Sequence, residues 1–423
     1  MTQPVQADEP DARIRLPALQ SRPFRIFWFG QTISLTGTWV QSVAQQWLVL
    51  QLTHSAFQVG LVVTVQFMPL LVLVLFTGPV ADRVDKRFLL LLTQVASLVL
   101  ATILATLTLF HLVRFWHILL LAGALGLVNA FYTPTRQSFV PQLVPRQHLM
   151  NAVALNSAIF NAARVVGPAL GGLLYAAVGP AMAFYVNAAS YLAVIGGLML
   201  IKTPKAEGAV ETREPATYLA DLFEGIRYIF RDVRVLVILA LVGIASLFAL
   251  NFTTLLPVFA RYILHQQSSG FGVLLAFQGA GSLAGAVLLS FWTSREFSRR
   301  LIYGGAFGFL ILELIFAFVR SYPVALLILF PTGLAATLFT TTANTRVLEL
   351  TPVSLQGRVM SVYSLMFLGV TPIGSLLAGA VAQTAGSPAA FALGAGITLA
   401  CTIAIYIWRM RGRRSSRTLE PAG

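Results

Sequence analysis

Long stretches without a single charged side chain are the feature that most restricts what this chain can fold into. The window between Arg25 and Asp82 contains 56 residues and the window between Arg358 and Arg409 contains 50, and neither includes Lys, Arg, Asp or Glu. A helix that spans a bilayer needs about 20 mainly apolar residues, so each window can hold two helices and a turn. Only 10% of the 423 residues are charged, against roughly 25% in soluble domains, which argues against a soluble enzyme.

The charge-free gaps divide the chain into twelve apolar segments of spanning length. Because backbone polar groups inside a bilayer must be satisfied within their own segment, we expect α-helices. The predicted spans cover residues 26–50, 56–80, 88–110, 115–138, 151–177, 180–201, 233–257, 270–292, 301–319, 322–343, 358–384 and 388–408. Residues 1–23 are polar and contain four prolines, so we expect a tail there and not a cleavable signal peptide. The predicted fold class is an all-α membrane protein with twelve transmembrane helices.

The basic side chains are divided unevenly between the two ends of these segments. An even number of spans places both termini on one side, and 25 of the 29 Lys and Arg residues then fall on that side. Arg114, Arg261 and Arg320 fall on the other side, and Arg164 falls inside a span. Since cytoplasmic loops carry such an excess, we predict cytoplasmic termini and a location in the inner cell membrane. The net charge of +14 is then an orientation signal, and no nucleic-acid partner is expected.

A polar stretch in the middle of the chain separates two groups of six spans. Apolar residues between Leu219 and Phe230 recur there at helical spacing, which predicts an amphipathic helix on the membrane surface. Thr135-Arg136 after the fourth span recurs as Thr345-Arg346 after the tenth, and such internal repeats are typical of transporters. We therefore predict a tail (1–25), two pseudo-symmetric six-helix bundles (26–202 and 233–408), a central cytoplasmic loop (203–232) and a basic tail (409–423).

The loop between the second and third spans carries a compact motif, GPVADRVDKR, from Gly78 to Arg87. A small residue lets two helices approach closely, and Asp82 could cap the helix that follows. The motif resembles the cytoplasmic signature of the major facilitator superfamily, although Asp85 stands where that family usually has a second glycine. The resemblance implies that Asp82 holds the cytoplasmic ends of spans 2 and 11 together near Arg358. The candidate gating residues are therefore Gly78, Asp82, Arg83, Arg87 and Arg358.

The fifth span contains the sequence RVVGPALGG, from Arg164 to Gly172. Its glycines permit the close approach of a neighbouring helix, and its proline permits a bend. This motif resembles the fifth-helix motif of proton-coupled drug exporters in the same superfamily. The resemblance makes Gly167, Pro168, Gly171 and Gly172 further gating candidates, and generic helix packing is the alternative.

Two longer stretches, Gly37 to Val49 and Ala154 to Arg164, resemble one branch of the superfamily, the enterobactin-exporter and macrolide-efflux permeases. The resemblance implies a secondary transporter in the lipid bilayer that exports an amphipathic small molecule (a drug, macrolide or siderophore). Alternating access, proton antiport and a monomeric state are expected. An importer or facilitator on the same fold is the alternative, and a non-transporting membrane receptor is a further one. The sequence lacks hydrolase, phosphate-loop and metal-spaced cysteine motifs, so we expect no enzyme, cofactor or metal.

Polar side chains inside the spans are the candidates for substrate binding. In the family that the sequence resembles, spans 1, 4, 7 and 10 line the central cavity. Amides and hydroxyls in hydrocarbon need polar partners, so they should face either this cavity or a neighbouring helix. The candidates are Ser34, Thr38, Gln41 and Gln45 on one face of span 1, Asn129 and Tyr132 in span 4, Asn251 in span 7, and Thr341 in span 10.

Two charged residues lie deep within the predicted spans, Arg164 in the fifth and Glu313 in the ninth. A charge at the bilayer centre costs about 3 kcal/mol on insertion scales, so each residue needs a compensating role. We expect Arg164 to face the cavity and to stabilise an anionic substrate or a coupling carboxylate, and an arginine bound to backbone carbonyls is the alternative. Glu313 is the candidate for proton coupling. A structural hydrogen bond is its alternative role, because span 9 is peripheral in the family.

Overall fold

The apolar windows of the sequence form long helices joined by short turns. The computed structural model describes residues 16–201, 224–291 and 295–417, with the backbone alone for 74–83, 295–299 and 410–417. The long helices are Arg22–Thr53, Ala56–Arg83, Lys86–Leu109, Phe115–Phe139, Leu149–Leu200, Val233–Phe248, Phe252–Tyr262, Ser268–Ser290, Arg295–Ala317, Tyr322–Leu350, Gln356–Ser364, Thr371–Ala385 and Ser387–Arg417. No strand occurs within these described ranges.

Ten segments of the described chain are long and apolar enough to cross a membrane, and dividing Leu149–Leu200 in two and adding the long helix Arg22–Thr53 gives twelve spans. Helix Leu149–Leu200 is two crossings, because Gly179 adopts φ 82° and ψ 174° and so interrupts the helix between them. That left-handed φ favours glycine. Two further crossings, Val233–Tyr262 and Gln356–Ala385, each contain a break. We number the crossings as spans 1 to 12 in chain order, with spans 5 and 6 meeting at Gly179. The predicted all-α membrane fold is confirmed.

Span 7 was expected to be an unbroken helix, but it is interrupted between Phe248 and Phe252. At the break, the Nδ2 of Asn251 donates a hydrogen bond to the carbonyl of Leu247 at 2.9 Å. A short polar side chain that bonds to nearby backbone competes with the helical ladder. Span 11 also departs from a regular helix, through a π-turn at Leu365–Gly369 before Pro372. Proline lacks the N–H that a continuous ladder would use there.

The segment before span 7 is helical from residue 224 to 231 and contacts the ends of spans 10 and 11. Tyr228 donates a hydrogen bond to the carbonyl of Leu350 at 2.8 Å, Ile229 is buried, and Glu224 pairs with Arg358. The rest of the predicted amphipathic segment, at 202–223, lies outside the described residues, as do 1–15 and 418–423. The described part therefore joins the linker to the C-terminal group of spans.

The two groups of six spans meet through two pairs of helices, and glycines allow the closest approaches. We call the side of the bilayer reached by the first and last described residues the terminal side, and the other the distal side. In spans 5 and 8, the backbone of Gly172 lies against Ser268 and Gly272, and Ser268 donates a hydrogen bond to the Gly172 carbonyl at 3.2 Å. These contacts lie near the distal ends of both spans.

Spans 2 and 11 form the second pair. Gly60 lies against the backbone of Ser375 and Gly379, and the hydroxyl of Thr64 donates to the carbonyl of Pro372 at 2.8 Å. Position 60 is one turn from the distal start of span 2. Both helix pairs therefore close the distal side of the molecule.

Toward the terminal side, span 5 presents an open surface. The face that carries Gly172 and Pro168 continues at helical spacing through Asn161 and Ser157. Whereas Gly172 and Pro168 are buried, Ser157 is exposed and Asn161 is partly exposed. This face of span 5 is therefore buried toward the distal side and exposed toward the terminal side.

We predict that Gly172→Ala weakens the distal closure. A Cβ at position 172 would lie 3.0 Å from the Cα of Gly272 and still closer to the Ser268 carbonyl, so the helices must move apart. The expected loss of stability is about 1–3 kcal/mol, measured by thermal unfolding of the purified protein. Gly196→Ala is the matched control, because a Cβ there meets nothing within 4 Å. A gain of up to about 1 kcal/mol is expected for it from helix propensity. Equal unfolding temperatures for the two variants would contradict the packing argument.

Candidate functional site

A cavity of about 100 Å³ lies between the two groups of spans, beside the break in span 7. Its wall is drawn from five spans, which places it at the meeting point of the halves. The lining residues are Trp39 in span 1, Arg164 and Pro168 in span 5, Leu250, Phe252 and Thr253 in span 7, Leu275, Gln278 and Ser282 in span 8, and Gly333 and Ala336 in span 10. The wall is thus mainly apolar, with a few polar groups converging on one space.

Arg164 gives this cavity its charge. The side chain makes no hydrogen bond or ion pair with the described part of the chain, and no acidic residue is among the described lining residues. The amide of Gln278 and the ring of Trp39 share the same wall. Since an unpaired guanidinium in the bilayer is costly, a site that keeps one is suited to an anionic group.

Of the predicted site residues, Arg164 and Pro168 line this cavity. The polar side chains predicted on span 1 are not among the lining residues. Gln41 is buried and accepts a hydrogen bond from Asn187 in span 6 at 2.6 Å. Trp39, two residues earlier and on the opposite face, is the span 1 side chain that lines the cavity. For Gln41 the structure therefore favours the interhelix alternative. Ser34 and Gln45 are buried and Thr38 is exposed, and their roles stay predictions.

The candidates in spans 4, 7 and 10 do not line this cavity either. The hydroxyl of Tyr132 donates to Gln31 of span 1 at 2.7 Å. Asn251 is buried at the break in span 7, with its Oδ1 unpaired among the described atoms. Asn129 is partly buried and Thr341 is exposed. Substrate binding by these four stays a prediction.

The predicted gating residues fall into three groups. Gly78, Asp82 and Arg83 lie in segment 74–83, for which the structure describes only the backbone. Asp85, and not Asp82, caps span 3, because its carboxylate accepts a hydrogen bond from the Phe88 amide at 2.7 Å. The residue that departs from the family motif thus has a structural role.

Arg87 and Arg358 have structural partners within their own halves. Arg87 donates to the carbonyls of Leu198 and Met199 at the end of span 6, at 2.7 and 3.0 Å. Arg358, at the start of span 11, pairs with Glu224. A gating role for either residue stays a prediction.

The glycine motif of span 5 packs on two sides. A Cβ at Gly167 would collide with Trp39, and one at Gly171 would lie 2.9 Å from the Val40 carbonyl, so both glycines face span 1. Gly172 faces span 8. The motif therefore lets span 5 pack against span 1 of its own half and against span 8 of the opposite half. A gating role for these residues stays a prediction.

Glu313 is fully buried in span 9, and both carboxyl oxygens lack a hydrogen-bond partner among the described residues. Span 9 packs against spans 10 and 12 of its own half. The residue is therefore outside the cavity described above, and the structural hydrogen bond expected as its alternative is not present in the described part of the chain.

Gln278 and Ser282 of span 8 are the cavity residues that the sequence reasoning missed. Both are buried, and Ser282 donates a hydrogen bond to the Gly333 carbonyl at 3.2 Å. Their signal was present as QGAGS, a run in which small residues flank polar ones in an apolar segment. The family expectation assigned the cavity lining to spans 1, 4, 7 and 10 and did not include span 8.

Two halves of six apolar spans that enclose a mainly apolar cavity with a few polar groups have the architecture of a multi-pass membrane transporter. The chain belongs to the transmembrane secretion effector family of the major facilitator superfamily, whose profile matches residues 15–421. The resemblance deduced from its motifs is confirmed. The chain is a transporter of small molecules and not an enzyme.

Several relatives of known name cover most of the chain. The staphyloferrin A transporter of Staphylococcus aureus is 26% identical over 387 residues, covering 90% of this chain and 95% of the relative. The multidrug efflux pump Tap of Mycolicibacterium fortuitum is 27% identical over 399 residues, covering 92% and 96%. Macrolide efflux protein A of Streptococcus pyogenes is 22% identical over 291 residues, covering 67% and 70%.

Solved structures support the same fold. The nucleoside transporter NupG superposes with a TM-score of 0.72 at 13% identity, covering 93% of this chain and 99% of that one. A bacterial homologue of the iron transporter ferroportin, in its inward-facing state, gives a TM-score of 0.66 at 16% identity, covering 92% and 98%. At such identities the likeness shows the fold alone.

We predict that Arg164→Leu stabilises the protein and abolishes transport. Removing an unpaired charge from the bilayer should raise the unfolding free energy by about 1–2 kcal/mol, while the cavity loses its cation. The two measurements are thermal unfolding and substrate accumulation in cells. An arginine that locked the helices through carbonyl bonds would give the reverse, a destabilised protein, and that result would remove Arg164 from the binding site.

Proposed function

We propose that this transporter exports an amphipathic small molecule of the drug, macrolide or siderophore class by proton antiport, as a monomer with both termini in the cytoplasm. The observation that carries the proposal is the cavity between the halves beside Arg164, with the contacts of spans 5 and 8 on its distal side and an exposed face of span 5 toward the terminal side. If the terminal side is cytoplasmic, this state can receive a substrate from inside the cell.

The direction of transport is supported by the sequence and by the relatives. The excess of basic residues on the terminal side favours a cytoplasmic location for that side. Two of the relatives are named as efflux proteins, and the family is described as secretion effectors. The name of the staphyloferrin A transporter gives no direction. Import remains the alternative that the first experiment below decides.

Alternating access would follow from the way the halves meet. The distal contacts between spans 5 and 8 and between spans 2 and 11 involve backbone and small residues with few hydrogen bonds, such as Ser268 to Gly172 and Thr64 to Pro372. Contacts of this kind can separate without leaving a charge unpaired. In the family, Asp82 and Arg358 would hold the terminal side closed in the opposite state.

Proton coupling is proposed on chemical grounds. The sequence contains no phosphate-loop motif, so the energy source should be an ion gradient. Among the described residues, Glu313 is the acidic side chain buried within a span, and we propose it as the proton carrier.

Cells that produce the protein should accumulate less substrate than cells without it. The expected result is lower steady-state accumulation of at least one compound from a panel of macrolides, fluorescent dyes and iron-free siderophores. A protonophore should abolish the difference, because export would then lose its driving force. The Arg164→Leu variant serves as the matched control. Higher accumulation in producing cells would establish uptake, and equal accumulation across the panel would count against transport of these classes.

Glu313→Gln should separate substrate movement from the proton gradient. The amide keeps the size of the side chain but carries no exchangeable acid proton. In proteoliposomes, transport driven by a pH gradient should be lost while exchange of labelled for unlabelled substrate continues. Undiminished gradient-driven transport would show that Glu313 is not the carrier.

A further inference from the structure

A second cavity, of about 460 Å³, lies in the N-terminal half on the terminal side, where span 4 ends and span 5 begins. We call it the entry pocket. Its polar lining residues are Arg136 and Gln137 from span 4 and Asn156, Ser157 and Asn161 from span 5. Its apolar wall includes Val140, Val153 and Phe160, of which Phe160 is 44% exposed. The pocket therefore combines one cation, several hydrogen-bonding groups and an apolar surface.

Two polar atoms of the residues that line this pocket are buried and have no partner among the described residues. One is the Nε of Arg136, a donor, and the other is the Oδ1 of Asn156, an acceptor. Buried polar groups in folded proteins are almost always hydrogen-bonded, so unpaired ones call for a ligand or water. A ligand in the pocket would offer an anionic oxygen to the Arg136 guanidinium and a hydroxyl or amide hydrogen to the Asn156 side chain.

Arg136 is held in place without being neutralised. Its guanidinium carbon lies 5.8 Å from the centroid of the Tyr132 ring, and the Tyr132 hydroxyl is bonded to Gln31 in span 1. No ion pair joins Arg136 to any acidic side chain in the described ranges. A stacked guanidinium keeps its charge and its N–H donors available to a further partner.

The corresponding arginine of the other half provides an internal comparison. Arg346 lies near the end of span 10 as Arg136 lies near the end of span 4, at an offset of 210 residues. Arg346 pairs with Glu349 at 2.6 Å. At the position equivalent to Glu349, the N-terminal half has Phe139, which is buried. The same location therefore carries an ion-paired arginine in one half and, in the other, an arginine that has no ion pair within the described residues.

The entry pocket and the central cavity lie along one face of span 5. Ser157, Asn161, Arg164 and Pro168 follow each other at spacings of four, three and four residues, which keeps them on one side of a helix. The first two line the entry pocket and the last two line the central cavity. An arginine without an ion pair in the described chain stands at each cavity.

We propose that the entry pocket is a second binding site, for an amphipathic anion that also carries a hydroxyl or amide hydrogen. The anionic group binds Arg136, the hydrogen donor meets Asn156, and the apolar part lies against Val153 and Phe160. Two sources share this chemistry, the transported substrate and the headgroup of an anionic phospholipid. Only the assignment to the substrate rests on the proposed export function, since binding itself requires no gradient.

The test is equilibrium binding of dansyl-serine, which has a carboxylate, a hydroxyl, a sulfonamide N–H and an apolar fluorophore. The protein is held in phosphatidylcholine nanodiscs, and Arg164→Leu is used as the background so that the central cation does not contribute. In that background, Arg136→Gln should weaken binding about 10-fold, as expected for loss of one charge-assisted hydrogen bond. Arg136→Lys, which keeps the charge, should lose less. Arg346→Gln is the matched control and should bind as the background does.

Two further arms identify the ligand chemistry and its source. Dansyl-serinamide, which is neutral, should bind about 10-fold more weakly than dansyl-serine. Displacement of dansyl-serine by phosphatidylglycerol added to the nanodiscs would assign the pocket to a lipid headgroup, and binding that persists would assign it to a soluble anion. Equal binding by Arg136→Gln and its background, with equal unfolding temperatures, would overturn the proposal. Equal binding of the two probes would do so as well. Because no gradient is present, neither result depends on whether the protein exports.

Discussion

The contact of backbone with backbone between spans 5 and 8 is the interaction on which the rest of the structure depends. At Gly172 and Gly272 the two helices approach so closely that a single added methyl group would collide. Arg164 lies eight residues before Gly172 on span 5, roughly 12 Å along the axis. The same contact that closes the distal side therefore also positions the cation in the central cavity. A movement that opened the distal side would change the lining of the cavity at the same time.

The bilayer explains why so few charges occur inside the molecule and why those few are informative. A guanidinium or carboxyl within a span raises the free energy of the folded chain unless a neighbouring group or the water of a cavity pairs with it. Surface arginines have no such cost. Arg164 and Glu313 thus stand out physically as well as in the sequence, but only Arg164 lies at the cavity. Glu313 is enclosed by its own half, which separates the proposed proton site from the proposed substrate site.

The fold could be predicted from the sequence because bilayer thickness converts charge-free length directly into helices. The candidate site could be predicted only in part. Helical spacing shows that Ser34, Thr38 and Gln41 share a face, but it does not show which neighbour that face meets. The structure turns Gln41 toward Asn187 in span 6 and Trp39 toward the cavity. The break at Asn251 and the unpaired state of Arg136 depend on contacts between distant segments, which one sequence without its fold does not contain.

The two halves differ in how their cations are neutralised. In the C-terminal half, Arg234 pairs with Asp232 at 2.7 Å, which holds the pKa of that carboxyl below its usual value, and Arg346 pairs with Glu349. Residues 16–201 contain nine Lys and Arg residues and two acidic ones, and no ion pair joins the described side chains there. The orientation of the chain in the membrane depends on its basic residues and little on its acidic ones, so orientation does not explain why the N-terminal half has fewer ion pairs. Stability does not require it either, since exposed ion pairs contribute at most about 1 kcal/mol. Binding of an anion at the proposed entry pocket would account for it, because a cation without an ion pair keeps its field and its donors for a ligand.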